Sequence, residues 1–366
     1  MRIVVPKETK AGELRVALVP DIISKLTKAG LEVIIESNAG RSAEYSDKQF
    51  SDAGAQVKSG DVLAGSDVVL SVQPLTATQM KTLKKGAITI SFLSPSTSQD
   101  SIDAAVSAGV TAISLEMVPR ISRAQSMDAL TSQALCAGYK ASLVAAELSP
   151  KFFPLLMTAA GTVTPAKVVV LGAGVAGLQA IATAKRLGAV VEVFDTRPAV
   201  KEEVQSLGAK FIEVEGAADA SKAGGYAVEQ SEEYKQKQQA KIAESVAKSD
   251  VIITTAQIPG RQAPILITQP MLDSMKNGSV IIDLAAATGG NTPMTKNNAH
   301  FKTDKGVLIV GDSNLPSTMP FDASKMYGKN VLNFLQLIID KEGNLNLNFE
   351  DDIGLNREIL LRKILE

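Results

Sequence analysis

Three glycines at fixed spacing constrain the fold of this 366-residue chain more than any other feature. The segment Gly172–Gly177 reads Gly-Ala-Gly-Val-Ala-Gly, follows the β-branched run Lys167–Leu171 and precedes a helix-like segment that ends at Gly188. In a strand-turn-helix unit that binds dinucleotides, the glycines allow a tight turn, close approach of a pyrophosphate and close packing of helix on strand. The pyrophosphate meets the N–H groups at the helix N-terminus. This context favours a nucleotide site over an ordinary glycine-rich turn.

The next strand ends in an acidic residue that predicts the coenzyme. Val190–Phe194 leads into Asp195, whose carboxylate can accept hydrogen bonds from the adenosine ribose and repel a 2′-phosphate. The pattern therefore favours NAD(H) over NADP(H). Arg197 leaves alternatives open, because it could receive a 2′-phosphate or pair on the surface with Glu202 or Glu203.

Short β-branched runs alternate with amphipathic helical segments along much of the chain, which is typical of parallel strands joined by helical crossovers. The runs in the first third are Arg2–Val5, Leu31–Glu36, Asp67–Val72, Ala87–Phe92 and Val110–Leu115. The later runs are Lys167–Leu171, Val190–Phe194, Lys210–Val214, Asp250–Thr255, Ser279–Leu284 and Gly306–Val310. We predict an α/β protein with two Rossmann-like, doubly wound parallel-sheet domains joined by long helices.

Two long helical segments predict how the domains are joined. Gln125–Leu148 is rich in Ala and Leu and contains no proline, so we expect one linking helix. Lys325–Ile339 places Val331, Leu335 and Ile338 near one helical face. This second segment could return to the first domain, which would make that domain discontinuous in sequence.

The expected domain boundaries follow from these segments. Residues 1–130 and 320–366 form the N-terminal Rossmann-like domain, and residues 131–319 form the NAD(H)-binding domain. Residues of about 214–235 are broken by glycines and strongly polar, which predicts a mobile loop. For the charged part of this stretch, a solvated helix face is the alternative.

Composition argues against several classes of function. Lys and Arg number 38 against 39 Asp and Glu, so the net charge of -1 gives no reason to expect nucleic acid or an anionic membrane surface as a partner. Cys136 is the only cysteine and His300 the only histidine, which excludes an intrachain disulfide and a Cys/His zinc site within one chain. A reducing compartment is expected. No apolar run is long enough for a membrane span or a signal sequence.

Several further segments resemble one known family. They are Met117–Asp128, Ala159–Lys167, Gly172–Ala189, Gly224–Ala227, Thr254–Gly260, Ser279–Ala285 and Gly289–Asn291. Over nearly the whole chain the sequence resembles the NAD(H)-binding component of proton-translocating NAD(P) transhydrogenase, which is related to the alanine dehydrogenase family. These matches are more specific than the glycine motif, which many unrelated dehydrogenases share.

The resemblance implies a reaction and a set of site residues. It implies direct hydride transfer between NAD(H) on this chain and NADP(H) on a partner component, coupled by a membrane component to proton translocation. It places Arg120, Gln125 and Asp128 in a loop beside the nicotinamide, Thr131 next to them, and Tyr226 on a mobile loop that closes over the nucleotide. The predicted cofactor contacts are Gln125, Ser126, Met127, Asp128, Gly172, Gly174, Val175, Ala176, Gly177, Asp195, Thr196, Arg197 and Gly225.

The resemblance also implies the surroundings of the chain. The expected partners are the NADP(H)-binding component, the membrane-spanning proton-channel component and a second copy in a homodimer. Because fused relatives continue into transmembrane helices and this chain ends at Glu366, we expect a separate cytoplasmic subunit, peripheral to the cytoplasmic face of the inner membrane. The segment Asn356–Glu366 predicts an amphipathic helix that caps the first domain, with partner docking as the alternative.

Hydride transfer between two nicotinamides moves no proton at either reacting carbon, so it needs orientation rather than a general acid or base. The amide of Gln125 carries a donor and an acceptor and can hold a nicotinamide carboxamide or ribose. Arg120 and Asp128 could pair and orient Gln125, or form a structural ion pair. Ala256 and Gln257 follow a strand and could line the adenosine pocket or belong to an ordinary turn.

Two other functions compete with this interpretation. Alanine dehydrogenase is similar in fold and in the run Pro6–Ala17, but its reaction needs proton removal and carboxylate binding, which in that family fall to a lysine and a histidine. The matching strand ends here carry Gln73 and Ser94, which do not titrate near neutrality, and His300 is distant in sequence. Arg15 could still bind a carboxylate or serve only in packing. A non-catalytic NAD-sensing module would bind nucleotide without hydride exchange.

Overall fold

A computed structural model describes residues 1–95, 97–214, 231–258, 261–340, 342–348, 353 and 360–361. Contacts divide the chain into two compact units. The first comprises Met1–Gln133 and Pro316–Glu366, and the second comprises Ala134–Leu315.

Strands and helices alternate in both units. The helices are α1 (Pro20–Lys28), α2 (Asp47–Asp52), α3 (Ala77–Thr82), α4 (Gln99–Ala108), α5 (Ala129–Leu148), α6 (Val175–Arg186), α7 (Lys201–Ser206), α8 (Glu232–Lys248), α9 (Gln269–Ser274) and α10 (Pro320–Ile338). The strands are β1 (Arg2–Val5), β2 (Glu32–Glu36), β3 (Gln56–Lys58), β4 (Val68–Leu70), β5 (Ile88–Ser91), β6 (Thr111–Ser114), β7 (Leu156–Thr158), β8 (Gly161–Val163), β9 (Lys167–Leu171), β10 (Val190–Phe194), β11 (Lys210–Phe211), β12 (Val251–Thr254), β13 (Val280–Asp283), β14 (His300–Lys302), β15 (Leu308–Val310) and β16 (Leu360–Leu361).

The first unit is built around a mostly parallel sheet with strand order β16-β6-β5-β4-β1-β2-β3. Strands β1 to β6 pair in parallel, and β16 pairs antiparallel with β6. Ile3 and Val5 enter one hydrophobic core, whereas Val4 enters another. Both faces of the sheet are therefore covered, as continuous apolar runs require.

Helices α1 and α10 supply one of these cores. Pro20 lies in the first turn of α1, where its missing N–H has no intrahelical partner to lose. The residues that the two helices bury in the core with Ile3 and Val5 are Ile22, Ile23, Leu26, Val331, Leu335 and Ile338. The apolar face expected for Lys325–Ile339 is confirmed.

The second unit repeats the principle with strand order β11-β10-β9-β12-β13-β15-β14. Its pairs are parallel except for β14, which runs antiparallel to β15. The chain starts at β9, adds β10 and β11 on one side and then continues from β12 on the other side. Open α/β sheets bind ligands at the carboxyl ends of the strands at such a switch point.

The structure confirms the predicted α/β class and corrects several local expectations. The linking helix α5 begins at Ala129 rather than Gln125, because Ser122–Met127 forms a 3₁₀ helix. Residues 360–361 form β16, so the expected helix over Asn356–Glu366 is wrong at those two positions. Residues 232–235 begin helix α8 rather than lying in a loop. Among the described helices, none is both long and apolar enough to cross a membrane.

Candidate functional site

The turn between β9 and α6 shows a different reason for each glycine. Gly172 has a φ of 104°, and a Cβ there would lie 2.3 Å from Oγ1 of Thr255. A Cβ on Gly177 would lie 1.9 Å from the carbonyl oxygen of Gly172. A Cβ on Gly174 would meet nothing within 4 Å. The fold therefore requires the first and third glycines, whereas the second faces open space that a ligand can approach.

The N-terminus of α6 is built to face an anion. Gly174 is its N-cap and supplies no side-chain hydrogen bond, and the first turn contains no acidic residue. N–H groups at a helix start carry partial positive charge. Helix α5 packs closely on this turn, since a Cβ on Gly138 would lie 2.0 Å from the carbonyl oxygen of Ala176. Gly138 was not predicted to matter, and it holds the α6 start in place.

Asp195 lies directly after β10 and is connected to the glycine-rich turn. Its Oδ2 accepts a hydrogen bond from the backbone N–H of Ala173 at 2.7 Å. Arg197 donates from its backbone N and its Nε to Oδ1 at 2.8 and 2.9 Å, and from Nη2 to Oδ2 at 2.8 Å. Asp195 is almost fully buried. The sequence placed the acid correctly at this strand end but did not predict that Arg197 pairs with it.

The pairing has electrostatic consequences. Hydrogen bonding to Asp195 raises the pKa of Arg197, and the negative charge of Glu203 adds to this. Tyr234, a buried residue in the first turn of α8, has a raised pKa because of its burial and the charge of Asp195. Tyr234 was not predicted as part of the site. Arg197 is therefore held by the predicted ribose-binding acid rather than only by surface glutamates.

A buried amide shapes the segment after β12. The side chain of Asn291 accepts from the N–H of Ala256 at 3.2 Å and donates to the carbonyl of Ala256 at 2.9 Å. It also donates to the carbonyl of Pro264 at 2.8 Å. Thr255 donates through Oγ1 to the carbonyl of Gly172 at 3.1 Å. Residues after β12 are thus fixed beside the glycine-rich turn. Gln257 is exposed and donates to the carbonyl of Leu284.

A buried carboxylate supports Asn291. Asp283, at the end of β13, accepts from the N–H of Asn291 at 2.7 Å and from Oγ1 of Thr295 at 2.6 Å. Its other oxygen accepts from Oγ1 of Thr254 at 2.9 Å and from the N–H of Ala285 at 3.0 Å. Sequence reasoning assigned no role to Asp283 or Asn291, although both lie in segments that carried the family resemblance.

The 120–131 segment belongs to the first unit. Gln125 and Ser126 are exposed in the 3₁₀ helix, and Met127 is partly buried. The carboxylate of Asp128 accepts from the backbone N of Thr131 at 2.8 Å and from its Oγ1 at 2.6 Å. Asp128 therefore acts as a cap for the start of α5. Arg120 is exposed, and its pairing with Asp128 stays a prediction.

The remaining predicted residues divide into two groups. Val175, Ala176 and Thr196 are partly buried in the second unit, near the turn and Asp195. Gly225 and Tyr226 lie outside the described residues, as does most of the predicted loop. His300 is exposed and lies 3.0 Å from Asp312.

A second cluster of buried polar groups lies in the first unit around Arg15. Its Nε and Nη2 donate to the two carboxylate oxygens of Glu13, each at 2.7 Å, and its Nη1 donates to Oε1 of Gln133 at 2.8 Å. Gln73 donates to Glu13 at 2.7 Å. Burial alone would raise the pKa of Glu13, but the hydrogen bonds and charge of Arg15 lower it to about 2. Ser94 instead donates its backbone N–H to Glu116.

The Glu13–Arg15 pair predicts a stability that depends on acid. Because the pKa of Glu13 falls from 4.5 to about 2, its stabilising effect is complete above pH 4.5 and is lost as pH falls toward 2. We expect Glu13→Gln to lower the free energy of unfolding at pH 7 by about 3 kcal/mol, since it breaks a buried pair. Urea denaturation should show this difference from the unsubstituted protein shrinking below pH 4.5. Glu32→Gln, in an exposed pair with Arg2, is the control and should cost less than about 1 kcal/mol. A constant difference between pH 7 and pH 3 would contradict this account.

The sequence matches known proteins along almost its whole length. Residues 4–137 match the family described as alanine dehydrogenase/PNT, N-terminal domain, and residues 141–362 match its C-terminal domain. The chain is 47% identical over 362 residues to the first of the alpha-subunit polypeptides of NAD(P) transhydrogenase from Rhodospirillum rubrum, covering 96% of this chain and 94% of that protein. It is 30% identical over 335 residues to alanine dehydrogenase of Mycobacterium tuberculosis, covering 87% and 82%.

A solved structure agrees with this ranking. The transhydrogenase of Sinorhizobium meliloti superposes with a TM-score of 0.84 at 42% identity, over 93% of this chain and 95% of that one. Both the fold and the identity are thus shared over nearly the whole chain rather than over one motif. The chain belongs to the alanine dehydrogenase/PNT family, and within it resembles the NAD(P) transhydrogenase alpha subunits more than the alanine dehydrogenases.

Proposed function

We propose that this chain is the NAD(H)-binding subunit of a proton-translocating NAD(P) transhydrogenase. It exchanges hydride directly between NAD(H) bound here and NADP(H) bound by a partner component. The carrying observation is the glycine-rich turn beside Asp195, where Gly174 leaves open space at an uncapped helix N-terminus. The high identity to an alpha subunit of NAD(P) transhydrogenase supports the same function.

The residues of the second unit fit a dinucleotide. The N–H groups at the start of α6 would hold the pyrophosphate, with Gly172, Gly174, Val175, Ala176 and Gly177 forming the turn around it. Asp195 would accept hydrogen bonds from the adenosine ribose, assisted by Thr196 and Arg197. Since Asp195 already accepts hydrogen bonds from Ala173 and Arg197, ribose binding exchanges some of those bonds rather than filling unpaired acceptors.

The reaction places little chemical demand on the chain. Bound NADH supplies the hydride, and no proton is gained or lost at either reacting carbon. The chain must orient a ring and exclude water, and we assign the orientation to the Gln125 amide. Arg120 and Asp128 belong to the same loop, and Tyr226 is assigned to closing over the nucleotide. Asp128 contributes by capping α5 and so setting where the loop ends.

The first unit argues against an amino-acid dehydrogenase. The guanidinium of Arg15 is already bound by Glu13 and Gln133, and Gln73 is bound to Glu13. Neither Gln73 nor Ser94 can remove a proton from an amino acid near neutrality. This arrangement supports a structural role for Arg15.

The proposal includes the assembly. Membership of a multi-subunit transhydrogenase implies an NADP(H)-binding component and a membrane-spanning proton-channel component as partners. We assign the chain to a homodimer at the cytoplasmic face of the inner membrane. The charge balance of 38 basic against 39 acidic residues supports attachment through proteins rather than through lipid.

The test combines this chain with an NADP(H)-binding component. Transfer from NADPH on that component to an NAD analogue should require both proteins, and L-alanine or pyruvate should give no turnover. Nucleotide binding without transfer would support the NAD-sensing alternative instead. Turnover of alanine by the isolated chain would overturn the proposal.

Shortening Gln125 should separate binding from transfer. Gln125→Asn keeps the amide but moves it by one methylene, so we expect hydride transfer to slow by about tenfold while NADH affinity changes by less than about threefold. Stopped-flow transfer and fluorescence titration measure the two quantities. Gln56→Asn, at an exposed edge of the first sheet, is the matched control. An unchanged transfer rate would remove Gln125 from the proposed site.

A further inference from the structure

We propose that Asn330 and Asn333 are positioning residues that set the loop carrying Gln125, an inference that rests on the proposed function. Both lie on α10, and both donate from Nδ2 to the carbonyl oxygen of Ser126, at 3.0 and 2.8 Å. They are three positions apart, so their side chains lie on the same face of the helix. Ser126 directly follows Gln125, so these bonds act one peptide away from the proposed orienting amide.

The loop needs such support. Ser122–Met127 is a 3₁₀ helix, whose hydrogen-bond geometry is poorer than that of an α-helix. Ala124 is its buried residue, whereas Gln125 and Ser126 are exposed. Little apolar packing therefore fixes the direction of the Gln125 side chain. Two donors on a rigid helix restrain the adjacent carbonyl instead.

The burial of Asn330 supports a role beyond packing. Only 8% of this residue is exposed, and its Oδ1 has no hydrogen-bond partner among the described residues. Burying an amide oxygen without a partner destabilises a protein. Its neighbours on α10, Val331 and Phe334, are buried apolar residues. An apolar side chain of similar size would suit this position better if α10 served only to fill the core, so the bond to Ser126 is the advantage that the amide provides.

The test replaces both amides with leucine in the full chain. We expect Asn330→Leu with Asn333→Leu to leave the melting temperature unchanged or higher and NADH affinity within threefold, while hydride transfer to the NADP(H)-binding component slows at least tenfold. Amide hydrogen exchange of residues 122–127 should become faster. Asn333→Gln retains a donor and should restore most of the transfer rate. Gln336→Leu, an exposed amide on the same helix, should change neither rate nor exchange.

The outcomes separate this inference from the proposed function. If unsubstituted protein transfers hydride and the double variant does so equally fast, the positioning role is overturned and the proposed function stands. A fall in rate matched by equal losses of melting temperature and NADH affinity also overturns it, because that is a structural effect. If the unsubstituted protein transfers no hydride, the proposed function fails, and unchanged exchange in residues 122–127 would then overturn the restraint of the loop independently.

Discussion

Replacing Asp195 by asparagine is expected to shift coenzyme preference from NADH toward NADPH by about 100-fold, equivalent to about 2.7 kcal/mol. The carboxylate has two effects on specificity. It is placed to accept hydrogen bonds from the ribose and to repel a 2′-phosphate, and it holds Arg197 through a bidentate pair. Asparagine has the same size but no charge, so it weakens ribose binding and releases Arg197 toward the phosphate. Fluorescence titrations with NADH and NADPH measure the ratio.

A double variant shows whether Arg197 is the new phosphate ligand. Asp195→Asn with Arg197→Leu should lose the gain in NADPH affinity while keeping the loss in NADH affinity. Glu202→Gln removes a negative charge from a nearby exposed position and should leave the ratio unchanged. Equal affinities for both nucleotides in the unsubstituted protein would remove the role given to Asp195.

Alanine at Gly177 and at Gly174 should give two different losses. The Cβ of Gly177→Ala would lie 1.9 Å from the carbonyl oxygen of Gly172, so the turn must move. We expect this variant to lose about 1–3 kcal/mol of stability and most of its NADH affinity. The Cβ of Gly174→Ala meets nothing within 4 Å in the protein and points into the open space at the α6 start. That variant should keep its stability and still bind NADH at least about tenfold more weakly, a difference of about 1.4 kcal/mol.

Comparison of the two glycine variants tests the location of the nucleotide. Melting temperature and NADH titration are measured on each. If Gly174→Ala binds NADH as well as the unsubstituted protein, the open space beside Gly174 does not hold the nucleotide. If Gly177→Ala keeps its stability, the close packing of α6 on the turn is not as rigid as the geometry indicates.

The sequence predicted the interior strands well because burial on both faces demands long apolar runs. It missed β3, β14 and the hairpin of β7 and β8. Gln56 and Lys58 of β3 and His300 and Lys302 of β14 are exposed, so these short strands lack the apolar pattern. β16 was missed because an edge strand of two residues has no pattern of its own, and an amphipathic helix fitted the same letters.

The candidate site could be predicted only where one short segment carries its own signal. The glycine turn and Asp195 lie in a single strand-turn-helix-strand unit, so their spacing reveals them. Asn291, Asp283 and the α10 asparagines act on residues far away in sequence, and no local pattern identifies a hydrogen bond between distant segments. The assignments of Gln125, Arg120 and Tyr226 came from resemblance and stay predictions.

By itself the sequence determined the α/β class, the position of the glycine turn and the acid that follows β10, because strand burial and backbone sterics are local demands on residue type. Only the tertiary structure decided that Arg197 is held by Asp195, that Asn291 pairs with Ala256 and that α10 holds the Ser126 carbonyl. Those contacts depend on where folding brings distant side chains together. Their donors and acceptors have the same composition whether or not they meet, so the physical information lies in distance and burial.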